Sequence, residues 1–161
     1  MSVVPLKFSV VQVSHTTLDR LAVLWREDWL AAHPGDLVGA DAVVADLERS
    51  LLHHDFLQSD SFWLFAAEWQ EQFVGYVTAA RIPKADGRLC FLYVDELFVL
   101  KPYRRQGVAT ALLQAVLELA RTLSAQGVRL LVEPDNQAAR ALYQSLGFHQ
   151  STLIFCQHSL S

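Results

Sequence analysis

Two spacings of apolar residues recur along this chain, and together they predict a sheet covered by helices. Period-two or continuous apolar runs, typical of β-strands, fall at residues 7–13, 62–69, 73–82, 88–100, 128–133 and 148–157. Apolar residues three and four positions apart, typical of helices, begin near residues 17, 41, 106 and 137. The predicted order is therefore β-α-α-β-β-β-α-β-α-β, an α+β sheet with helices on both faces.

Turn signals predict how the middle strands pair. Only a short polar connection separates strand 62–69 from strand 73–82, so the two should form a hairpin. Asp86-Gly87 is a second hairpin signal, and strand 88–100 follows it. That strand is the longest and is apolar on both faces, so we expect it to be central and covered on both sides. The apolar face of the second helix is predicted to carry Val44, Leu47, Leu51 and Leu52.

Composition and charge narrow the class of protein. The 161 residues, 52% hydrophobic and 19% charged, suit one domain with one core and exclude wholesale disorder. A formal net charge of −4 gives no support for nucleic-acid binding, because a phosphate backbone needs a basic face. The six histidines lack metal-ligand spacing, so no metal is predicted. Cys90 and Cys156 are too few for a disulfide framework and are expected to be buried free thiols.

No targeting or membrane signal is evident along the chain. The N-terminus lacks a basic segment followed by a long apolar run, and no uncharged run is long enough to span a bilayer. A cytoplasmic protein without membrane contact is the resulting expectation.

A basic turn joins strand 88–100 to the next helix and carries the candidate chemistry. Pro102 ends the strand, and Arg104, Arg105 and Gly107 precede a helix with apolar residues at Val108 and beyond. The helix N-terminus leaves backbone N–H groups unpaired, and its dipole favours negative charge. Because glycine has no Cβ, an anion could approach the backbone closely. The turn is therefore a predicted anion site. The alternative is an ordinary strand-to-helix connection with solvated arginines, which would have a similar sequence.

The motif Arg104-x-x-Gly107-x-Ala109 resembles the signature of the GNAT superfamily, the acyl-CoA-dependent N-acetyltransferases. An acidic, strand-forming stretch, Asp95-Glu96-Leu97-Phe98-Val99, stands before the turn, as is often found in that family. Asn136, Tyr143 and the ending Leu146-Gly147-Phe148 follow in the expected order. The resemblance is specific over residues 94–148 and weak over the first sixty. It implies the GNAT (acyl-CoA N-acyltransferase) fold, with a mixed, mostly antiparallel central sheet, in a single domain over residues 1–161.

The resemblance also implies a binding mode for acetyl-CoA, with coenzyme A as the product. The pyrophosphate would sit on the backbone N–H groups of the basic turn, and the pantetheine arm would pair with the preceding strand. That strand and the next would splay apart between Val99 and Leu131. The residues implied in cofactor binding are Leu97, Phe98, Val99, Arg104, Arg105, Gln106, Gly107, Val108, Ala109, Thr110, Asn136 and Tyr143.

Two residues are predicted to be catalytic. Tyr143 matches the family's general acid toward the coenzyme A sulfur, and a phenol is protonated at neutral pH. Glu96 is favoured as the base or amine anchor, with Asp95 in reserve, because a charge within an apolar strand needs water, a partner or a function. Consecutive strand residues point to opposite faces, so at most one acid should face the substrate unless a β-bulge intervenes. An ion pair with Arg81 or Arg88 is the structural alternative.

Substrate residues are sought on the first helix, as in the family. Trp25, Asp28, Trp29 and His33 lie on it or just after it, and aromatic rings beside a carboxylate suit a cationic amine. Asp95 completes the predicted substrate-binding set. The alternative is that both tryptophans belong to the core. No role is assigned to His53-His54.

The preferred function is transfer of an acetyl group from acetyl-CoA to a primary amine of a small molecule or protein. A sensor domain that binds acetyl-CoA without turnover is the alternative. A general nucleotide-binding loop is disfavoured, because the chain lacks the Gly-x-x-x-x-Gly-Lys spacing. The acceptor, the length of the acyl group and assembly as a homodimer are left open.

Overall fold

The fold is described by a computed structural model, which covers residues 8–53 and 55–160. Backbone contacts divide the chain into two compact units, Met1–Leu131 and Val132–Ser161. Each unit is described by itself below. The single-domain assignment made from the sequence stays a prediction.

The first unit contains a five-stranded sheet whose strands lie side by side in chain order. The strands are β1 (Ser9–Gln12), β2 (Phe62–Trp69), β3 (Gln72–Arg81), β4 (Phe91–Val99) and β5 (Gly127–Leu130). Neighbours are antiparallel from β1 to β4, and β5 is parallel to β4. This confirms the mixed, mostly antiparallel α+β sheet and the β2–β3 hairpin. Lys7, the predicted start of the first strand, lies outside the described residues.

Helices cover both faces of this sheet, as predicted. They are α1 (Leu18–Ala32), α2 (Leu37–His53) and α3 (Val108–Thr122), while α4 (Gln137–Ser145) belongs to the second unit. The Trp25 ring of α1 lies 5.5 Å from the Tyr76 ring on β3. A Cβ on the adjacent Gly75 would instead lie 3.3 Å from Val108 Cγ1 of α3. Because adjacent strand residues point to opposite faces, α1 and α3 lie on opposite sides of the sheet.

The start of α2 differs from the prediction. It begins at Leu37, before the predicted residue 41, because Asp36 Oδ1 accepts a hydrogen bond from the Gly39 N–H and so supplies an N-terminal cap. Leu51 is buried as expected, but Leu52 is exposed.

Strand β4 is shorter and less covered than predicted. It begins at Phe91, because Arg88 is in the preceding loop, where its guanidinium pairs with Asp86. The longest and most deeply buried strand is β3. Strand β5 ends at Leu130, three residues before the predicted boundary at 133.

The predicted final strand, residues 148–157, does not form in the described structure. Residues 149–160 are exposed, and so are the apolar side chains of Leu153, Ile154 and Phe155. An apolar run suits a pleated surface, but a strand also needs a partner for its N–H and C=O groups. Cys90 and Cys156 are free, as predicted, but Cys90 is half-buried, Cys156 is exposed, and neither lies in a strand.

Candidate active site

The basic turn (residues 104–110) presents a row of unpaired backbone donors. A short helical turn, Lys101–Tyr103, leads from β4 to Gly107, the N-cap of α3. Arg105 and Gly107 both have positive φ, 62° and 86°, which tilts successive amides toward one side of the chain. The amides of residues 105–110 have no acceptor in the part of the chain that the structure describes. The turn therefore has the geometry of an anion site at a helix N-terminus.

The two arginines of the turn differ in their environments. Arg104 donates from Nε to the Val99 carbonyl at 2.8 Å, which ties the turn to the end of β4. Arg105 is exposed and makes no ion pair among the described residues. A Cβ added at Gly107 would meet no protein atom within 4 Å, so the space in front of the turn is open. An anion in that space would meet backbone donors and the Arg105 charge together.

One edge of β4 is unpaired next to this turn. The pairing of β4 with β5 ends at Val94 opposite Leu130, whereas β4 continues to Val99. Leu97, Phe98 and Val99 pair with β3 on their other side. Beyond Val94 this edge of β4 has no strand partner among the described residues, so an extended ligand could add there as a strand, although the Val99 carbonyl is already bonded to Arg104. Leu131, just after β5, is 70% exposed.

A β-bulge in β4 changes the prediction for the two acidic residues. Val94 lies opposite Ala79 and Leu97 opposite Val77, so Asp95 and Glu96 together face Thr78. The Thr78 Oγ1 accepts a hydrogen bond from the Glu96 N–H at 3.1 Å. The alternation of side chains, followed back from Leu97 or forward from Val94, gives the same result. Both acids point to the face covered by α1. The bulge is the exception that the prediction allowed for, because in a regular strand at most one of the two acids could have faced the substrate.

Among the residues that the structure describes, no arginine pairs with Asp95 or Glu96. Arg81 pairs with Asp60 and Arg88 with Asp86, so the predicted structural alternative does not form. Burial raises the pKa of Glu96, and the negative charge of Asp95 raises it further. Glu96 therefore accepts a proton more readily than an ordinary carboxylate, as a general base requires.

Three aromatic rings border these acids on the same face. Trp25 stacks on Phe98 with ring centroids 5.6 Å apart, and Tyr76 lies 5.7 Å from Phe98. Trp25 packs against the core without being fully buried, and its buried Nε1 has no acceptor among the described residues. The sequence reasoning missed Tyr76. Tyr76 lies opposite Phe98, and Phe98 is two residues after Glu96. This position is known only from the register of β3 and β4.

Trp29 contacts residues of the connection between α1 and α2 and stabilises it. Its Nε1 donates to Asp36 Oδ2 at 3.1 Å, and its ring stacks on His33 at 4.2 Å. Hydrogen bonds from the Gly39 N–H and then from Trp29 lower the pKa of Asp36, so this carboxylate stays charged and holds the connection. Asp28 is half-buried on α1 and makes no ion pair among the described residues. Of the two predicted substrate residues on the last turns of α1, Asp28 is the less constrained.

The second unit carries the two remaining predicted residues. Asn136 caps α4, because its Oδ1 accepts a hydrogen bond from the Ala139 N–H at 3.1 Å. Tyr143 is buried, with its ring 5.8 Å from that of Phe148. Burial raises the pKa of Tyr143, so its hydroxyl is protonated at neutral pH and can donate. Gly147 has a φ of 85° and follows the end of α4, as predicted.

Comparison with known sequences defines the class of protein. The sequence profile of the acetyltransferase (GNAT) family matches residues 18–148, which include β2 to β5 and all four helices. The chain belongs to this family of acetyltransferases.

Relatives and solved structures agree with this membership. The chain is 35% identical to human N-acetyltransferase 8 over 108 residues. This matched stretch covers 67% of this chain and 45% of that protein. The chain spans less than half of the length of the first curated relatives it matches. An aminoglycoside acetyltransferase from an uncultured soil metagenomic sample, HMB0005, shares the fold with a TM-score of 0.75 at 24% identity, over 96% of this chain and 99% of that one. AAC(6')-Iy, in complex with the bisubstrate analogue CoA-S-monomethyl-acetylneamine, has a TM-score of 0.70 at 23% identity over 96% and 99%.

Among residues 8–53 and 55–160, no group of three or more His, Cys, Asp and Glu side chains could hold a metal ion. No helix in these same ranges is long and apolar enough to cross a membrane.

Proposed function

We propose that this protein transfers an acetyl group from acetyl-CoA to a primary amine. The observation that carries the proposal is the continuity of the unpaired β4 edge with the basic turn. An extended pantetheine arm could pair with residues 97–99 while its pyrophosphate binds the unpaired amides of residues 105–110. The bisubstrate complex of AAC(6')-Iy, a protein of the same fold, supports a coenzyme A donor.

The acidic pair on β4 would prepare the amine. An ammonium group must lose a proton before its nitrogen can attack a carbonyl carbon, and Glu96 would accept that proton directly or through water. The new C–N bond forms as the C–S bond of the thioester breaks, and the sulfur leaves with the electron pair. Because its pKa is raised, Glu96 is a stronger base than an ordinary glutamate. Asp95 is on the same face and would add to the attraction for the cation.

Tyr143 would serve the leaving group. We assign it donation of a hydrogen bond, and then of a proton, to the departing sulfur, which makes coenzyme A leave as a thiol. Asn136 is held by its capping hydrogen bond, and we assign it a second contact to the cofactor. The cytoplasmic location and the homodimer stay predictions.

The first experiment is a turnover assay with acetyl-CoA and a panel of polyamines, aminoglycosides, amino acids and peptide N-termini. Release of free thiol reports transfer. We expect at least one amine to be acetylated, and mass spectrometry should find the product heavier by one acetyl group. Tight acetyl-CoA binding without turnover of any amine would favour the sensor function instead.

The Tyr143→Phe variant tests the catalytic assignment. The ring and its contact with Phe148 are kept, so thermal stability and acetyl-CoA affinity should change little. Loss of an interaction made in the transition state lowers kcat rather than cofactor binding. We expect kcat to fall about a hundredfold or less, the lower end for general-acid catalysis, because a thiolate is already a fair leaving group. Full kcat on the true acceptor would remove Tyr143 from the mechanism.

A further inference from the structure

The acidic surface beside the aromatic rings carries more negative charge than one amine needs. Asp95 and Glu96 lie on the α1 face of β4, and Asp28 lies three residues after Trp25 on the helix that covers this face. None of the three forms an ion pair among the described residues. The neighbouring cation on α1, Arg26, is already paired with Asp41. The local charge is therefore uncompensated within the part of the chain that the structure describes.

Tyr76 provides a second, independent sign of a ligand. The residue is only 3% exposed, yet its hydroxyl forms no hydrogen bond in the described structure. Among the described residues, the side-chain nitrogen or oxygen that is both fully buried and unpaired is Trp25 Nε1. The Tyr76 oxygen is unpaired but does not meet this condition, so it keeps some accessible surface. A buried tyrosine normally pairs its hydroxyl, and an unpaired one remains available to a ligand group.

Tyr76 lies between the two elements that carry these acids, since its ring is 5.5 Å from that of Trp25 on α1 and 5.7 Å from that of Phe98 on β4. Burial raises the pKa of Tyr76, and the negative charges of Glu96 and then Asp28 raise it further. The oxygen is thus within electrostatic reach of carboxylates on both β4 and α1. Uncompensated carboxylates beside aromatic rings match an organic cation.

We propose that the acceptor is a polycation, a primary amine that carries at least one further ammonium group. The reacting amine lies beside Glu96, the second ammonium pairs with Asp28, and the Tyr76 hydroxyl accepts a hydrogen bond between them. The rings of Trp25 and Phe98 border the cation. Tyr76 and Asp28 are then specificity-determining residues. This inference rests on the proposed function and names its substrate class, which a linear polyamine and an aminoglycoside share.

Three acceptors with carbon chains of equal length distinguish the effect of a second charge from the effect of size. They are hexylamine, aminohexanol and hexanediamine. Neamine serves as the amino-sugar arm, and kcat and KM are measured for each at saturating acetyl-CoA. We expect kcat/KM for hexanediamine to exceed that for hexylamine by about tenfold or more, with aminohexanol close to hexylamine. A higher kcat/KM for neamine than for hexanediamine would indicate an amino-sugar acceptor. A higher kcat/KM for hexanediamine would indicate a linear polyamine.

Matched variants test the residues. Asp28→Asn should raise KM for the diamine by more than it raises KM for hexylamine, and so remove most of the preference for the diamine. Tyr76→Phe keeps the ring and should lower kcat/KM for the diamine by about threefold to tenfold, as for loss of one hydrogen bond. Asp19→Asn is the control, because it removes the same charge from an exposed position at the other end of α1.

Binding without turnover separates this inference from the proposed function. Hexanediamine is titrated calorimetrically into the protein saturated with coenzyme A. Binding that Asp28→Asn weakens, without turnover of any amine, would support the cation site and overturn the enzymatic function. Equal kcat/KM for hexylamine and hexanediamine, unaffected by Asp28→Asn, would overturn the polycation and leave the acetyltransferase standing. Absence of both binding and turnover for every polycation would also overturn the inference.

Discussion

At the level of single residues, the bulge at Asp95 and Glu96 has the largest effect on the proposed chemistry. It turns two consecutive acidic side chains to one face, where a regular strand would separate them. Their mutual repulsion then becomes part of the mechanism, because Asp95 helps to raise the pKa of Glu96. A base with a raised pKa is better matched to neutral pH than an ordinary carboxylate.

The pH dependence of the Asp95→Asn variant tests this coupling. We expect activity to be lost as pH falls through the pKa of Glu96, since the proposed base must be deprotonated. Removing the Asp95 charge lowers that pKa, so the acidic limb of the kcat/KM profile should move to lower pH. Glu96→Gln should lower turnover about a hundredfold or more and abolish this limb. In Asp19→Asn, the charge-matched control, the limb should stay in place. An unshifted limb in Asp95→Asn would show that another group titrates.

The same raised pKa has a consequence for stability. The folded protein binds a proton at Glu96 more readily than the unfolded chain does, so stability from this group rises as pH falls through the folded pKa. Thermal unfolding of Glu96→Gln should therefore lose this part of the pH dependence. At neutral pH the variant should be at least as stable as the wild type.

At the level of elements, the connection from β4 to α3 brings the cofactor features together. Within the described residues, one edge of the strand has no strand partner beyond Val94, and six amides of the turn that follows have no acceptor. Arg104 is bonded to the Val99 carbonyl, which couples the position of the turn to the end of the strand. The element as a whole, rather than any one side chain, defines the proposed cofactor site.

The Gly107→Val variant tests this element, with Gly87→Val as its control. Both glycines have positive φ, 86° and 75°, and an added Cβ at either would meet no protein atom within 4 Å. The backbone strain is therefore similar, but only Gly107 lies where the phosphates would approach. We expect acetyl-CoA affinity, measured by calorimetry, to fall about tenfold or more in Gly107→Val alone. A similar loss in both variants would attribute the effect to strain rather than to the site.

At the level of the whole molecule, hydrogen exchange offers a test that needs no acceptor. Without ligand, the amides of residues 105–110 lack acceptors within the described structure, whereas β3 is hydrogen-bonded on both sides. Binding of acetyl-CoA should slow exchange in residues 97–99 and 105–110 and leave β3 unchanged. Protection elsewhere, with residues 105–110 still exchanging quickly, would contradict the proposed binding mode.

Apolar periodicity and short motifs were enough to predict much of this protein. They gave the α+β class, the four helices, the β2–β3 hairpin and the basic turn, because each depends on neighbours in sequence. The Arg104, Gly107 and Ala109 motif led to the family to which the chain belongs. These features need no knowledge of which strands are paired.

Other features were decided by tertiary structure. Residues 148–157 have the composition of a strand but no ladder partner, and pairing is a property of two segments. The shared face of Asp95 and Glu96 depends on one unmatched residue in the register of β3 and β4. Tyr76 is a candidate only in the folded chain, where its ring lies beside Trp25 of α1 and Phe98 of β4. Local sequence specifies elements, whereas register and burial follow from long-range packing, which periodicity does not encode.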